Sequence, residues 1–242
     1  MTAAQKTALV TGAGGGIGRA VVAQLLQAGY AVAAVDLALA DLPCALPAAF
    51  AALSADVTDE ARLAQVVAET LARFGRLDAV VHLAGVIGHG SLADESVDEW
   101  RRILDVNLTS AFLLARATRD ALKATGGSLL LTASVNGRNG GSALSGPAYA
   151  VSKAGIINLT RYLAKEWGAD GIRVNCIAPG PVDTPMVQRL PAETIEQLRR
   201  AIPLGRIARP EDVAATVAFL CSPAAGYLTG ITLNVSGGLL LD

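Results

Sequence analysis

A string of glycines near the start of the chain constrains the fold more than any other feature of the sequence. Residues 11–18 read Thr-Gly-Ala-Gly-Gly-Gly-Ile-Gly, and they separate a short β-rich run, 7–10, from a helical run, 17–28. Glycine permits a tight turn, lets the backbone approach a pyrophosphate and lets the helix pack close to the strand. The N–H groups at the start of that helix then face the phosphates. The segment therefore predicts a dinucleotide-binding turn, and the lack of Gly-Lys-Ser/Thr excludes a P-loop.

Short β-rich runs alternate with longer helical runs along the rest of the chain. We expect further strands at 31–35, 50–54, 80–83, 128–132, 174–177 and 232–235. We expect helices at 58–74, with Thr58 as N-cap, and at 98–123, 148–167 and 211–220. This alternation predicts parallel strands with right-handed crossovers. The fold class is therefore α/β, a Rossmann-like doubly wound parallel sheet of about seven strands with helices on both faces, in one domain over residues 1–242.

Composition narrows the class of protein. A net charge of −1 gives no electrostatic basis for nucleic-acid binding, and 52% apolar residues exclude intrinsic disorder. No apolar run approaches the roughly 20 residues that span a bilayer, since the richest stretch, 37–53, holds an acid and two prolines. The N-terminus lacks the pattern of a secretory signal. The three cysteines, Cys44, Cys176 and Cys221, lie far apart and predict neither a disulfide framework nor a metal site. We expect a cytoplasmic protein with a small-molecule substrate and no membrane partner.

Asp36 indicates which dinucleotide binds. It ends the second predicted strand, 18 residues after Gly18, where a carboxylate can accept hydrogen bonds from the adenosine ribose hydroxyls. The same charge repels a 2′-phosphate, and no Arg or Lys lies among the glycines or just after Asp36. The sequence therefore favours NAD over NADP, unless Asp36 is only a solvated acid at a strand end.

Tyr149 and Lys153 point to acid/base chemistry. Their i, i+4 spacing places both side chains on one face of the predicted helix 148–167. A phenol has an ordinary pKa near 10, too high for a base at neutral pH, but a nearby ammonium favours the phenolate. Tyr149 could then exchange a proton with an alcohol oxygen while a hydride moves at the adjacent carbon. The alternative is a buried tyrosine beside a lysine that extends to solvent.

Together these motifs resemble the short-chain dehydrogenase/reductase family, in its compact single-domain branch, over nearly the whole chain. The resemblance also rests on Asp56-Val57, on the segment 82–85, on Asn107 and Ser134, and on residues 175–184, which read Asn-Cys-Ile-Ala-Pro-Gly-Pro-Val-Asp-Thr. The family usually has Asn-Asn-Ala-Gly where this chain has His82-Leu83-Ala84-Gly85. Since that asparagine mainly braces the central sheet, we expect His82 to be a structural residue that replaces the brace.

The resemblance implies a role for each matching position. Tyr149 would be the acid/base and Lys153 would lower its pKa and hold the nicotinamide ribose. Ser134 would bind the substrate oxygen, and Asn107 would support a water-linked proton relay. Asp56 and Val57 would flank the adenine. The implied cofactor-binding set is Gly12, Gly14, Gly16, Ile17, Gly18, Asp36, Asp56, Val57, Ala84, Gly85, Tyr149, Lys153, Pro179, Gly180, Val182 and Thr184.

The sequence says less about the substrate-binding part of the site than about the cofactor-binding part. By resemblance, residues 185–202 form a lid, and its apolar side chains favour an uncharged or mostly apolar substrate. The segment 137–141 borders the substrate or is a surface loop, and Arg138 within it either binds an anion or is solvated. Predicted helices 98–123 and 148–167 are apolar nearly all round, which with the leucines at 239–241 indicates a homo-oligomer. The resemblance favours a tetramer.

The leading interpretation is an oxidoreductase that transfers a hydride between NAD(H) and a secondary alcohol or ketone, with Tyr149 as acid/base. Two alternatives remain open. One is a 3-oxoacyl-thioester reductase, although Asp36 argues against the NADPH that such enzymes generally use. The other, from a different class, is a catalytically silent NAD-binding or scaffold protein.

Overall fold

The computed structural model describes residues 5–39, 42 and 47–241. Within them, seven strands form one parallel sheet in the order β3-β2-β1-β4-β5-β6-β7. The strands are β1 Thr7–Thr11, β2 Ala31–Asp36, β3 Phe50–Ser54, β4 Ala79–His82, β5 Ser128–Thr132, β6 Arg173–Pro179 and β7 Thr232–Val235. The chain order reverses between β1 and β4, so a crevice opens at their carboxyl ends. The predicted fold class is confirmed.

Helices cover both faces of the sheet. They are α1 Gly16–Gln27, α2 Glu60–Phe74, α3 Val97–Leu104, α4 Ser110–Thr125, α5 Asn136–Asn139, α6 Pro147–Trp167, α7 Pro185–Gln188, α8 Ala192–Ala201 and α9 Pro210–Cys221. Helices α2, α4 and α6 bury apolar side chains on one face, and α1 and α9 do so on the other. Each layer excludes water from the sheet, because buried apolar area is the main stabilising term of such a core.

Two local expectations are corrected by the structure. The N-cap of α2 is Asp59, whose carboxylate accepts a hydrogen bond from the Arg62 N–H, and Thr58 bonds to Asp56 instead. The predicted helix 98–123 is not a single α-helix, because the π-helical turn Asp105–Thr109 lies between α3 and α4. Local sequence pattern does not distinguish Thr58 from Asp59 as a cap, since both residue types suit that position.

The two helices expected to be apolar nearly all round do leave apolar side chains in solvent. Phe112 of α4, and Val151 and Tyr162 of α6, are exposed, as is Leu241 near the end of the chain. The outward face of α4 and α6 therefore retains apolar surface in the isolated chain.

Several other features concern only the described part of the chain. Cys176 and Cys221 are buried free thiols, whereas Cys44 and part of the stretch 37–53 lie outside the described residues. Among the described helices, none combines the length and the apolar character that a membrane crossing requires. No cluster of three or more potential metal ligands among His, Cys, Asp and Glu occurs in residues 5–39, 42 and 47–241.

Candidate active site

The glycine turn leaves no room for side chains at its tightest points. Gly12 has φ of +69°, and a Cβ there would lie 2.6 Å from the Ala84 backbone nitrogen. A Cβ on Gly18 would lie 2.0 Å from the Gly12 carbonyl oxygen. The turn is thus wedged between β4 and the start of α1. Helix α1 begins after Gly15 with no side-chain cap, so its first N–H groups remain available to an anion.

Asp36 lies beside this turn, at the carboxyl end of β2. Its Oδ2 accepts a hydrogen bond of 2.9 Å from the Gly14 N–H, and its Oδ1 accepts one of 3.2 Å from the Ala38 N–H. Each carboxylate oxygen keeps a further lone pair for another donor. The carboxylate is therefore held in place by backbone without being fully satisfied.

A cleft of about 1020 Å³ runs from the glycine turn along the carboxyl ends of the strands. Six of the predicted cofactor residues line it, namely Gly12, Asp36, Asp56, Val57, Ala84 and Gly85. Sequence reasoning missed its opposite wall, which α3 and the π-helical turn supply through Asp98, Arg101, Arg102, Asp105, Val106 and Thr109. The residues of this wall recur at helical spacing, a signal that the sequence did contain.

Tyr149 lies at the start of α6, with its phenol beside the Ser134 side chain. Ser134 is buried and follows β5 by two residues, and its Oγ also accepts a bond of 3.2 Å from the Asn136 N–H. Desolvation raises the pKa of Tyr149, and the Ser134 hydrogen bond opposes that rise. Desolvation is thus the largest influence on the pKa of this phenol, and a lowering of that pKa by Lys153 stays a prediction.

Lys153 is buried one helical turn further along α6. Its Nζ donates a hydrogen bond of 2.8 Å to the Thr132 carbonyl oxygen and lies 5.6 Å from the centre of the Tyr149 ring. Burial lowers the pKa of Lys153 to about 8. Gly85 lies against this ammonium, since a Cβ there would be 3.3 Å from Nζ. The lysine thus joins α6 to the end of β5.

Asn107 closes the same pocket from the other side. Its Oδ1 accepts a bond of 2.8 Å from the Val86 N–H, and its Nδ2 donates to the Val86 carbonyl at 2.9 Å and to Ser152 Oγ at 3.0 Å. The π-helical turn adds one residue to the local helical repeat and so redirects this side chain. Asn107 therefore ties the segment after β4 to α6.

His82 holds this π-helical turn to the sheet. Its Nδ1 lies 2.7 Å from Thr11 Oγ1, and its Nε2 lies 3.0 Å from Ser110 Oγ. Ser110 Oγ donates to the Val106 carbonyl, so it accepts from the Nε2–H of His82, and Nδ1 accepts from Thr11. Burial first, and then the charge of Lys153, lower the pKa of His82 to about 3. His82 is a neutral structural histidine, as expected.

The remaining predicted cofactor residues follow β6 on the far side of the turn. Pro179 ends β6, and the Gly180 N–H donates to the Val235 carbonyl at 3.0 Å. Val182 is buried, while Thr184 lies so near the glycine turn that a Cβ on Gly16 would be 2.8 Å from its methyl group. The segment 179–184 therefore reaches the start of α1. Ile17 packs into the core cluster behind it.

The segment 137–141 begins against α6. A Cβ on Gly137 would lie 2.5 Å from the Lys153 carbonyl carbon, so α5 packs directly on the backbone of α6. The Arg138 guanidinium donates to Asn234 Oδ1 on β7 at 3.0 Å. The segment is thus packed on α6 at Gly137, whereas residues 138–140 are exposed and Arg138 bonds to the protein itself.

The cleft at the glycine turn reaches Gly85, which lies against the Lys153 ammonium, and comparison with known proteins indicates an oxidoreductase. A family model described as enoyl-(acyl carrier protein) reductase matches residues 12–240. The chain belongs to the short-chain dehydrogenase/reductase family.

Individual relatives cover almost the whole chain. A (3R)-3-hydroxyacyl-CoA dehydrogenase from Mus musculus is 40% identical over 97% of this chain and 96% of the relative. A cis-4-hydroxycyclohexanecarboxylate dehydrogenase from Sinomonas cyclohexanicum is 40% identical with the same coverage. The crystal structure of a short-chain dehydrogenase/reductase, glucose/ribitol dehydrogenase, from Brucella melitensis has a TM-score of 0.92 at 33% identity, covering 98% of this chain and 97% of that chain.

Proposed function

We propose that this protein is an NAD(H)-dependent oxidoreductase that interconverts a secondary alcohol and a ketone, with Tyr149 as the acid/base. The observation that carries the proposal is the position of the Tyr149 phenol, which lies beside Ser134 and is flanked by the buried ammonium of Lys153. Each group has a task in moving a proton to or from an alcohol oxygen. Asn107, which braces the same pocket, completes the proposed catalytic set.

The residues fit a nicotinamide dinucleotide, because the glycine turn is free of side chains and the cleft continues past Asp36 and Asp56. The bound cofactor supplies the acceptor or donor of the hydride. In alcohol oxidation, Ser134 donates a hydrogen bond to the substrate oxygen and Tyr149 takes its proton. The Lys153 ammonium stabilises the Tyr149 phenolate that accepts this proton, and Lys153 becomes neutral above its pKa of about 8.

NAD is the proposed cofactor because Asp36 faces the cleft and is fixed by two backbone N–H groups. Moving this carboxylate away to admit a 2′-phosphate would break both bonds. Val182 and Thr184 are proposed to meet the nicotinamide carboxamide, beside the glycine turn.

The proposed substrate is uncharged or mostly apolar. Exposed apolar side chains lie on the segments after β4, between α5 and α6, and after β6, namely Ile87, Leu92, Leu144 and Met186. Residues 185–202, which contain α7 and α8, are the proposed lid. A second candidate is a 3-hydroxyacyl or 3-oxoacyl thioester, and the relative from Mus musculus favours it through its printed activity.

We further propose one domain over residues 1–242, a cytoplasmic location and a homo-oligomer, with a tetramer favoured by family membership. The exposed apolar side chains of α4 and α6 support the oligomer, because a second copy would remove them from water. Measuring the molar mass of the protein in solution tests the proposed oligomeric state.

The deciding experiment is turnover of NAD⁺ with cyclic, aliphatic and hydroxyacyl-thioester alcohols, followed by NADH formation. We expect Tyr149→Phe to lower kcat about 1000-fold, since general acid/base catalysis contributes on that order. Tyr162→Phe is the matched control, because it removes a hydroxyl from an exposed position on the same helix. Turnover that persists in Tyr149→Phe would reject the assigned acid/base, and an inactive wild type across the panel would favour a silent binding protein.

A further inference from the structure

The catalytic helix α6 lacks an N-cap side chain of its own. Its N-cap is Gly146, and no side-chain hydrogen bond is made there. The carboxylate of Glu95, 53 residues away in sequence, supplies the missing acceptor, since its Oε2 accepts a hydrogen bond of 3.1 Å from the Ala148 N–H. A carboxylate at a helix N-terminus is favoured both by this bond and by the helix dipole.

Glu95 is fitted closely into its place. Its Oε1 is buried without a hydrogen-bond partner among the described residues. A Cβ on Gly88 would lie 3.2 Å from this oxygen, and one on Gly146 would lie 3.4 Å from it. A buried carboxylate oxygen without a hydrogen-bond partner lowers the stability of the fold. An apolar side chain would fill the same space without this cost. The position therefore serves something other than filling space.

Glu95 also lies where three segments meet. The Gly88 N–H donates to the Ser145 carbonyl at 3.1 Å, and the Gly90 N–H donates to the Ala143 carbonyl at 2.8 Å. These two bonds join the loop after β4 to the loop that leads into α6. The Glu95 carboxylate adds the link from the first loop to the helix itself.

We propose that Glu95 is a positioning residue that fixes the first turn of α6 and thereby the phenol of Tyr149. Tyr149 directly follows Ala148, whose N–H the carboxylate holds. The inference rests on the proposed function, because Glu95 is said to position Tyr149, the residue proposed to move the proton. Neither the sequence motifs nor the family pattern used above includes Glu95.

The effect on chemistry should exceed the effect on stability. Further along α6, Ile156, Leu163 and Trp167 are buried in the core, so the body of the helix is held independently of its first turn. Loss of one bond at the end therefore loosens only that turn. Tyr149 lies in this first turn of α6. We therefore expect its phenol oxygen to become less well positioned while the fold stays intact.

Three variants at position 95 separate the parts of this role. Glu95→Ala removes the acceptor, Glu95→Gln keeps an acceptor without the charge, and Glu95→Asp keeps the charge on a shorter side chain. We expect Ala and Asp to lower kcat about 10- to 100-fold, the loss typical of a small misplacement of a catalytic group. Gln should restore kcat to within about threefold, with the NADH Kd nearly unchanged in all three.

Asp94→Asn is the matched control. It removes a negative charge one residue away while the side chain can still accept the hydrogen bonds from Ser91. We expect it to leave kcat within about twofold of wild type, as a surface change would. The inference is overturned if Glu95→Ala keeps wild-type kcat, if Glu95→Gln fails to restore it, or if Asp94→Asn falls as far as Glu95→Ala.

Amide hydrogen exchange tests the role of Glu95 independently of enzymatic turnover. Failure of the proposed function appears as a wild type without turnover, and the Ala148 and Tyr149 amides then decide the role of Glu95. Faster exchange there in Glu95→Ala or Glu95→Asp, but not in Glu95→Gln, supports the inference. Equal exchange in all variants and wild type overturns it. If Glu95→Ala fails to fold, Glu95→Asp takes its place in both measurements.

Discussion

The polar cluster at the strand ends and the loops in front of it are built differently. In the polar cluster, Thr11, His82, Asn107 and Lys153 are buried and each makes a hydrogen bond of 3.0 Å or less. The outer loops, residues 86–96, 140–146 and 185–204, instead expose Leu92, Leu144 and Met186. Polar atoms are satisfied by the protein in one region, and apolar atoms are left to water in the other.

The difference follows from what each region must do. A buried polar group without a partner is costly, so the polar cluster can have only one arrangement. Apolar side chains at an entrance gain free energy whenever a ligand covers them, and this gain depends little on the shape of the ligand. We therefore expect the fold to fix the proposed chemistry and the outer loops to set which substrates are accepted.

Breaking the polar cluster at His82 should produce the largest change in stability. His82→Leu removes both ring hydrogen bonds and leaves the Thr11 hydroxyl buried without its partner. We expect a loss of about 2–4 kcal/mol in the free energy of unfolding, measured by urea denaturation. A loss below about 1 kcal/mol would show that the polar cluster tolerates rearrangement. It would contradict the contrast drawn between this cluster and the outer loops.

The pH dependence of stability sharpens the same test. Burial lowers the pKa of His82 to about 3, well below its ordinary value of 6.5. Between these values the unfolded chain binds a proton that the folded chain does not, so the free energy of unfolding falls as the pH falls. The slope from this group is at most about 1.4 kcal/mol per pH unit. In His82→Asn, whose amide does not titrate, acid sensitivity should be weaker, and equal slopes in both proteins would contradict the assignment.

Replacing Asp36 should have a smaller effect than replacing His82, and this effect should be on the choice of cofactor. Asp36→Ala removes the charge that faces the proposed ribose, so kcat/KM with NADP relative to NAD should rise at least about tenfold. Asp98→Ala, which removes a charge from the opposite wall of the same cleft, is the control and should leave that ratio unchanged. No gain in NADP use from Asp36→Ala would count against the proposed cofactor.

The sequence predicted elements whose signals are local and missed contacts that tertiary structure creates. The glycine turn and the Tyr149–Lys153 pair have fixed spacing within one element, so the seven strands and the polar face of α6 could be predicted. The bond from Thr11 to His82 joins residues 71 apart, and Glu95 reaches Ala148 across 53 residues. The π-helical turn at Asn107 could not be predicted, because its five residues are too few to give a periodic signal of their own.

Met186 tests the outer loops, where we expect the smallest effect. It begins the proposed lid and is exposed, so Met186→Ala should leave stability and the NADH Kd nearly unchanged. Bulky apolar alcohols should lose a few-fold in kcat/KM, less than the about 1–3 kcal/mol of a contact in a closed pocket, because Met186 is partly exposed. The smallest alcohols should lose little. Met186→Leu, which conserves volume, should behave as wild type. An equal loss for large and small alcohols would mean that Met186 acts on the chemistry, and the outer loops would then belong with the polar cluster as parts of one fixed site.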